Sequence, residues 1–447
     1  MSDGPRDRLE ERALRAWADL GRELSADTSL DRLVRRSSPG DPSAPTPIDA
    51  QLALLNTLTG ALHAYGLPAH RVEEAIARVT TALGLRVQLV SQLTSFTFTI
   101  EHEGQQRTQV VRVQPGRSDL EKLSALHELV GRIERQELTV AEAARRITVI
   151  TESARRYGPL ATTLCHGLSS ASAAALLGAT SSEALWAAPV GVLVGAAVTL
   201  AEPLRALQQL LPAASTLLAA VASFSLAHQG VPVRPLLLTL AGVVVLLPGL
   251  ATTMGIMELA TGNLVSGTAR LAGAAMTFLL MVFGVALGQR VDPDLVGNAL
   301  ATGAVDALPR AIAFLAPGGA ALSFAVLLRA RPRDVPLVFA GCYVAAGGAW
   351  AGAELLGSAL GGFLGALVLG VLSHVHARWK DRPVALTLVP GTLLLVPGSL
   401  GFLGFSSLLG ADASGAVEAL FRTVLVAVSL ASGTLVATLA VPPGRAI

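Results

Sequence analysis

RPLLLTLAGVVVLLPGLATTMG, residues 234–255, is the stretch on which the reading of this chain turns. Its apolar run approaches the roughly 20 residues that a helix needs to cross the hydrocarbon of a bilayer. Pro248 and Gly249 fall inside it. A Pro-Gly pair at membrane depth removes a helical hydrogen bond and frees carbonyls, which must then find partners or line a polar cavity.

Working outward, similar apolar segments follow one another from Leu160 to the end of the chain. Spans are expected near 160–179, 184–201, 210–228, 234–251, 264–288, 309–328, 335–351, 354–373, 384–402 and 417–440. Ten spans with the N-terminus inside place Arg205, Arg329, Arg331, Arg333, Arg378, Lys380, Arg382 and Arg445 on the cytoplasmic side, against Arg234, Arg290 and Arg310 outside. That asymmetry follows the positive-inside rule.

The rest of the chain is a different kind of protein. Mean hydropathy is +0.56, and 42 of the 66 charged side chains lie within residues 1–157. The signs balance there and the net charge is only +2, so nothing favours nucleic acid as a partner. The N-terminus lacks the apolar core of a cleaved secretory signal. Residues 1–46 read as a mobile charged tail and a Pro/Ser linker, and residues 47–156 as a cytoplasmic α+β domain. In that domain Leu55, Leu58 and Leu62 share one helix face; Val72, Ile76, Val79 and Leu83 mark a second helix between Pro68 and Gly84. Phe96, Phe98 and Ile100 alternate with polar residues as in a strand, the turn EHEGQ leads to another, and Ser118 with Glu121 and Thr139 with Glu142 are capping boxes. The expected fold is therefore an α-helical polytopic membrane protein with an N-terminal cytoplasmic α+β domain.

The membrane region repeats itself. LLPGLATTMG at 246–255 resembles LVPGTLLLVPG at 388–398, each in the fourth span of a group of five. An odd number of spans per half gives a 5+5 inverted repeat, with halves at 157–290 and 291–447. Three Pro-Gly pairs, Pro248-Gly249, Pro390-Gly391 and Pro397-Gly398, then read as helix breaks. A broken helix offers a positive N-terminus to a carboxylate and free carbonyls to an ammonium. Thr252, Thr253, Thr392 and Ser399 put hydroxyls beside the breaks, where a small polar substrate can use them. A packing kink is the plainer reading of any single pair. Glu258 reads either as a proton carrier, with Asn263 and Arg270 trailing it, or as a loop carboxylate paired with Arg270. Glu202 and Glu354 lie at span ends, and His374 and His376 read as interface anchors. Gly357, Gly361 and Gly365 make a smooth face for packing between halves or between subunits, so a homo-oligomer is a possible assembly. Cys165 and Cys342 read as buried small hydrophobes. No metal-binding His pair, phosphate-binding loop or nucleophile elbow occurs, so neither a cofactor nor ATP is called for and the chain is not read as an enzyme.

Four ordered stretches carry a resemblance to a known family: YGLPAHRVEEAIARVTTALGL, RSDLEKLSALHELVGRIERQELTVAEA, LLPGLATTMGIMELATGNLVSGTARLAGA and LVPGTLLLVPGSLGF. Together they resemble the bacterial threonine/serine exporter family over residues 47–440. The resemblance implies a multi-pass protein of the bacterial inner membrane that exports threonine and serine, or in split relatives a dicarboxylate such as succinate, driven by the proton gradient. It places the family's first membrane motif on Pro248, Gly249, Thr253, Gly267 and Arg270, and the second on Pro390, Gly391, Pro397 and Gly398. This chain departs from the family at Met257, Glu258 and Asn263, where acidic positions differ. Arg71, Val72 and Glu73 match a stretch read as structural or regulatory. Two other readings stand beside export: a membrane-embedded enzyme drawing on His63, His70, Glu73, Glu74, His102 and His127, and a soluble domain that senses a ligand and gates the transporter.

Overall fold

The computed structural model describes residues 47–102, 105–113, 116, 118–291, 308–357, 360–395, 398–407 and 413–442. The tail and linker at 1–46, the tip of EHEGQ, Pro397 and Arg445 lie outside the described residues.

The chain opens with α1 (Pro47–Ala64) and α2 (Ala69–Ala82), then β1 (Arg86–Ser91), β2 (Ser95–His102) and β3 (Gln105–Arg112), then α3 (Leu120–Glu134) and α4 (Val140–Glu152). The strands form one antiparallel sheet in sequence order. Gly66 and Gly84 end the two helices in left-handed backbone, which a side chain would strain. Leu54, Leu58 and Leu62 of α1, Val72 and Ile76 of α2 and Phe96 and Phe98 of β2 fill a common core with the inner faces of α3 and α4. Both capping expectations need correction. Asp119, not Ser118, caps α3 by accepting from the Lys122 N–H, and Glu121 is drawn away to Arg156. Thr139 does cap α4, yet Glu142 turns to Arg145 and Arg146 rather than back to the cap. A full capping box occurs instead at Thr180 and Glu183.

The remaining helices are α5 (Pro159–Leu176), α6 (Ser181–Ala201), α7 (Leu211–His228), α8 (Pro235–Gly242), α9 (Gly249–Ala260), α10 (Leu264–Gly288), α11 (Arg310–Leu327), α12 (Val335–Leu356), α13 (Gly361–Lys380), α14 (Ala385–Leu395), α15 (Gly398–Ser407) and α16 (Ala413–Ala440). Among the described residues, α6, α7, α10, α12 with the turn before it, α14 with α15, and α16 are long and apolar enough to cross a membrane. The pair α8 and α9, with the turn between them, passes the same test only when both pieces are taken together, and it is bent by 56° at the break. Length and composition alone do not assign the three other expected spans, which coincide with α5, α11 and α13. At most 39% of any assigned span is buried inside the protein. Large apolar side chains such as Leu185, Phe314, Trp350 and Leu439 point outward. That much exposed apolar surface has no place in water and is solvated by lipid, so this is a multi-pass membrane protein.

Contacts fix which helix ends lie together. At the end nearest the sheet, Arg155 before α5 pairs with Glu202 after α6, the Leu120 N–H donates to the Leu328 carbonyl after α11 (2.9 Å), Arg331 before α12 pairs with Glu128, His127 approaches Asp381 after α13, and Ala385 of α14 packs on the sheet unit's core. At the far end, Arg234 before α8 holds Glu183 at the start of α6 and the Gly178 carbonyl after α5. Successive helices therefore run alternately away from the sheet unit and back. Neighbours recur as well: α8 lies on α5, α6 and α7 as α14 lies on α11, α12 and α13, while α9 packs on α10 as α15 packs on α16. The smooth glycine face is consumed internally. A Cβ on Gly361 would sit 2.8 Å from the Ala353 nitrogen of α12 and one on Gly365 2.9 Å from that of Ala349, while Gly357 lies in a left-handed turn.

Candidate functional site: two helix starts that meet in the bundle

α8 ends at Gly242, a single tight turn covers Val244–Leu246, Leu247 is extended, and Pro248 caps α9. The break follows from the proline: it has no N–H, its ring excludes the carbonyl four residues back, and it drives the preceding residue out of helical backbone. The first amides of α9 therefore have no acceptor within their own helix, and they carry the positive end of its dipole.

A second helix start lies at the same place. Gly398 opens α15, is buried, and a Cβ on it would lie 3.0 Å from Leu247 Cβ and 3.7 Å from Gly249 Cα. A side chain at this position would press on Leu247. Farther along α15, Gly401 seats against the ring of Phe278 and Phe402 is fully buried in the core formed by α6, α7, α8 and α10. Reciprocally α9 packs on α16. α9 therefore touches both α15 and α16, and α15 touches α10 as well as α16.

Thr253 lies one helical turn beyond Gly249, on the same face. It is 5% exposed, and its hydroxyl is buried with no hydrogen-bond partner. A buried polar group left unpaired costs about 1–3 kcal/mol, so this hydroxyl is available to a polar ligand. Thr252 is already used: its Oγ1 donates to the Pro248 carbonyl at 3.0 Å. Ser399 is half-buried next to Gly398.

Pro390 and Gly391 do not form a break, contrary to expectation. Pro390 lies inside the continuous helix α14, and a Cβ on Gly391 would meet the Gly341 carbonyl at 2.8 Å and Leu369 at 2.7 Å. Their task is close packing of α14 on α12 and α13, with Thr392 beside them on the same helix. In α8 the absent Cβ of Gly242 likewise makes room for Val190.

Glu258 closes α9 and is 1% exposed. Arg270 grips it with both forks, Nη2 to Oε1 at 2.9 Å and Nε to Oε2 at 3.1 Å, and the Ser266 hydroxyl donates to Oε2 at 2.9 Å. Of the two sequence readings, the pair with Arg270 is what this conformation holds. Ser266 was missed, since a serine eight residues after a glutamate carries no signal until the hairpin folds. Asn263 contributes its backbone N–H to the Glu258 carbonyl (2.8 Å), while its side chain turns to Thr261. Gly255 and Gly267 let α9 and α10 close on one another. The pair sits at the sheet-unit end, near His63: burial pushes the His63 imidazole below its usual pKa, Arg270 adds to that shift and Glu258 opposes it.

Three of the side chains suggested for catalysis have partners within the sheet unit. Glu73 accepts from the Ser91 amide, Glu74 pairs with Arg71, and His63 contacts the Leu93 carbonyl at 3.0 Å. Among the described residues no group of three metal-ligating side chains occurs.

The site thus lies in a multi-pass bundle, at a span bent by 56° where α8 gives way to α9. The chain belongs to the threonine/serine exporter family: its first family model matches residues 53–291, and a second, described as "Threonine/Serine exporter, ThrE", matches 313–440. It is similar to an uncharacterized protein of Schizosaccharomyces pombe, 23% identical over 364 residues that cover 77% of this chain and 43% of that protein. It is also similar to the pheromone-regulated membrane protein 10 of Candida albicans, 26% identical over 371 residues, 76% of this chain and 32% of the other. The chain thus spans less than half the length of these curated relatives. No solved structure matches it.

Proposed function

We propose that this chain is a secondary exporter of threonine and serine in the bacterial cytoplasmic membrane, driven by the proton gradient, with the sheet unit and the C-terminus in the cytoplasm. The observation that carries the reading is the approach of Gly398 to Leu247 and Gly249 beside the unpaired hydroxyl of Thr253. Two helix starts lie against one another there, and the positive ends of their dipoles suit a carboxylate, while helix carbonyl ends suit an ammonium. Thr253 is then the partner of the substrate's own hydroxyl.

The alternation of helix ends and the recurrence of neighbours support ten spans arranged as two inverted halves, 157–290 and 291–447, after a cytoplasmic domain at 47–156. Basic side chains at the sheet-unit end, Arg329, Arg331, Arg333, Arg378, Lys380 and Arg382, support placing that end inside. Proton coupling is assigned to Glu258, Arg270 and Asn263: protonation of Glu258 frees Arg270, and the turn around Asn263 that joins α9 to α10 moves with it.

The test is efflux of labelled threonine, serine and succinate from liposomes holding the purified chain, with and without a pH gradient. Gradient-dependent movement of threonine and serine, lost in Glu258→Gln, is the expected result. Movement of succinate alone overturns the substrate and keeps the mechanism. No movement of any of the three overturns the reading.

A further inference from the structure

We propose that the sheet unit is a releasable brake, a clamp tied to both membrane halves that must let go before they can move against one another; this rests on the exporter reading above. The clamp centres on Asp119. Its carboxylate, 3% exposed, caps α3 through the Lys122 N–H and accepts from Arg329 Nη1 at 3.0 Å. The same guanidinium reaches Glu202 at 3.8 Å, and Glu202 also pairs with Arg155. Glu202 ends α6 of the first half, whereas Arg329 follows α11 of the second, so one arginine bridges the two halves and the sheet unit at once.

The loop that carries Arg329 is held along its length. The Leu120 N–H donates to the Leu328 carbonyl, Tyr157 Oη donates to the Ala330 carbonyl at 2.9 Å, and Arg331 and Arg333 both reach Glu128, at 3.0 and 2.9 Å. Arg329 adopts left-handed backbone, φ +56°, a conformation that glycine takes without strain. An arginine there is explained by its charge rather than by the turn.

The contact is firm in geometry and weak in much of its energy. Glu128 and Arg333 are half exposed, and such pairs are weak and screened by salt. In a transporter built from two halves, motion of one half against the other alternates access to a central site. Any such motion changes the span between Glu202 and Arg329, which the sheet unit bridges. Loosening the exposed rim should therefore speed the cycle rather than stop it.

Glu128→Arg puts like charges against Arg331 and Arg333 at an exposed position that leaves the core untouched, and adding Arg331→Glu with Arg333→Glu restores opposite signs. Each version carries spin labels at Leu185→Cys and Leu355→Cys, exposed positions at the far ends of the two halves, and is reconstituted in liposomes for distance measurement and for threonine and serine efflux. The expected result is a second, displaced distance population and severalfold faster efflux in Glu128→Arg, with both returning to the unsubstituted values after the charge swap. Unchanged distances, or measurable efflux that is equal or slower in Glu128→Arg, overturns the brake. Displaced distances that the swap reverses, with no movement of threonine or serine in any version, keep the clamp and overturn the substrate reading instead.

Discussion

Pro248-Gly249 and Pro390-Gly391 are the same dipeptide in apolar surroundings, yet one ends a helix and the other is swallowed by one. At Pro248 the residue before it is extended and a new helix starts at Gly249. At Pro390 the helix runs on from Ala385 to Leu395. Proline removes one hydrogen bond in either place; what differs is the surrounding packing. Gly391 lies backbone to backbone with Gly341, whose own Cβ would fall 2.4 Å from the Thr387 carbonyl, and dispersion contacts across that interface hold α14 straight. Gly249 instead faces a second helix start, where a continuous helix would drive side chains into Gly398. The dipeptide permits a break, and its neighbours decide whether one occurs.

The sharpest way to break this comparison is to fill each glycine. Gly398→Leu forces a side chain into Leu247 and Gly249, and efflux should fall at least about a hundredfold with the protein still in the membrane, as misplacement of a binding site by an ångström does. Gly391→Ala should cost about 1–3 kcal/mol of stability by overpacking, read as a lower melting temperature in detergent, while efflux per folded molecule is kept. Equal efflux losses in the two would erase the distinction between crossing and packing.

The prolines give a smaller contrast. Pro248→Ala allows α8 and α9 to straighten and should lower the efflux rate about tenfold. Pro390→Ala restores one helical hydrogen bond, worth about 1 kcal/mol net, and should leave efflux unchanged with a slightly higher melting temperature. The sequence alone gives both prolines one role as helix breaks, whereas in the structure only Pro248 precedes a new helix and Pro390 lies inside one.

That separation marks where sequence reasoning stops. The helices were legible because apolar runs of spanning length and the alternation of Phe96, Phe98 and Ile100 are properties of neighbours along the chain. The stop signals at Gly66 and Gly84 were legible for the same reason. The Ser-x-x-Glu pattern points to Ser118 as the cap of α3, but Glu121 is drawn to Arg156, 35 residues away, and Asp119 takes the cap position. The meeting of Gly398 with Gly249 and the third donor Ser266 on Glu258 depend on which helices touch, and no spacing encodes that. Three Pro-Gly pairs could be named as candidates from the sequence, but only tertiary contacts rank them.

The finest contrast is between hydroxyls. Thr253 is buried with its Oγ1 unpaired, while Thr392 stands on α14 beside the packed Pro390-Gly391 pair. Thr253→Val keeps the shape, removes a hydroxyl that has no partner in the protein, and should leave the melting temperature unchanged or raise it. If the hydroxyl serves the substrate, its loss forfeits one hydrogen bond to threonine and serine, about 1 kcal/mol or roughly fivefold in apparent affinity. Alanine, which brings no hydroxyl, should lose none. Thr392→Val should alter neither solute. A fivefold weakening for serine with none for alanine, read by competition in the efflux assay, would tie the hydroxyl of Thr253 to that of the substrate. Equal weakening for both would leave Thr253 as a packing residue and return the crossing to a purely electrostatic site for the carboxylate.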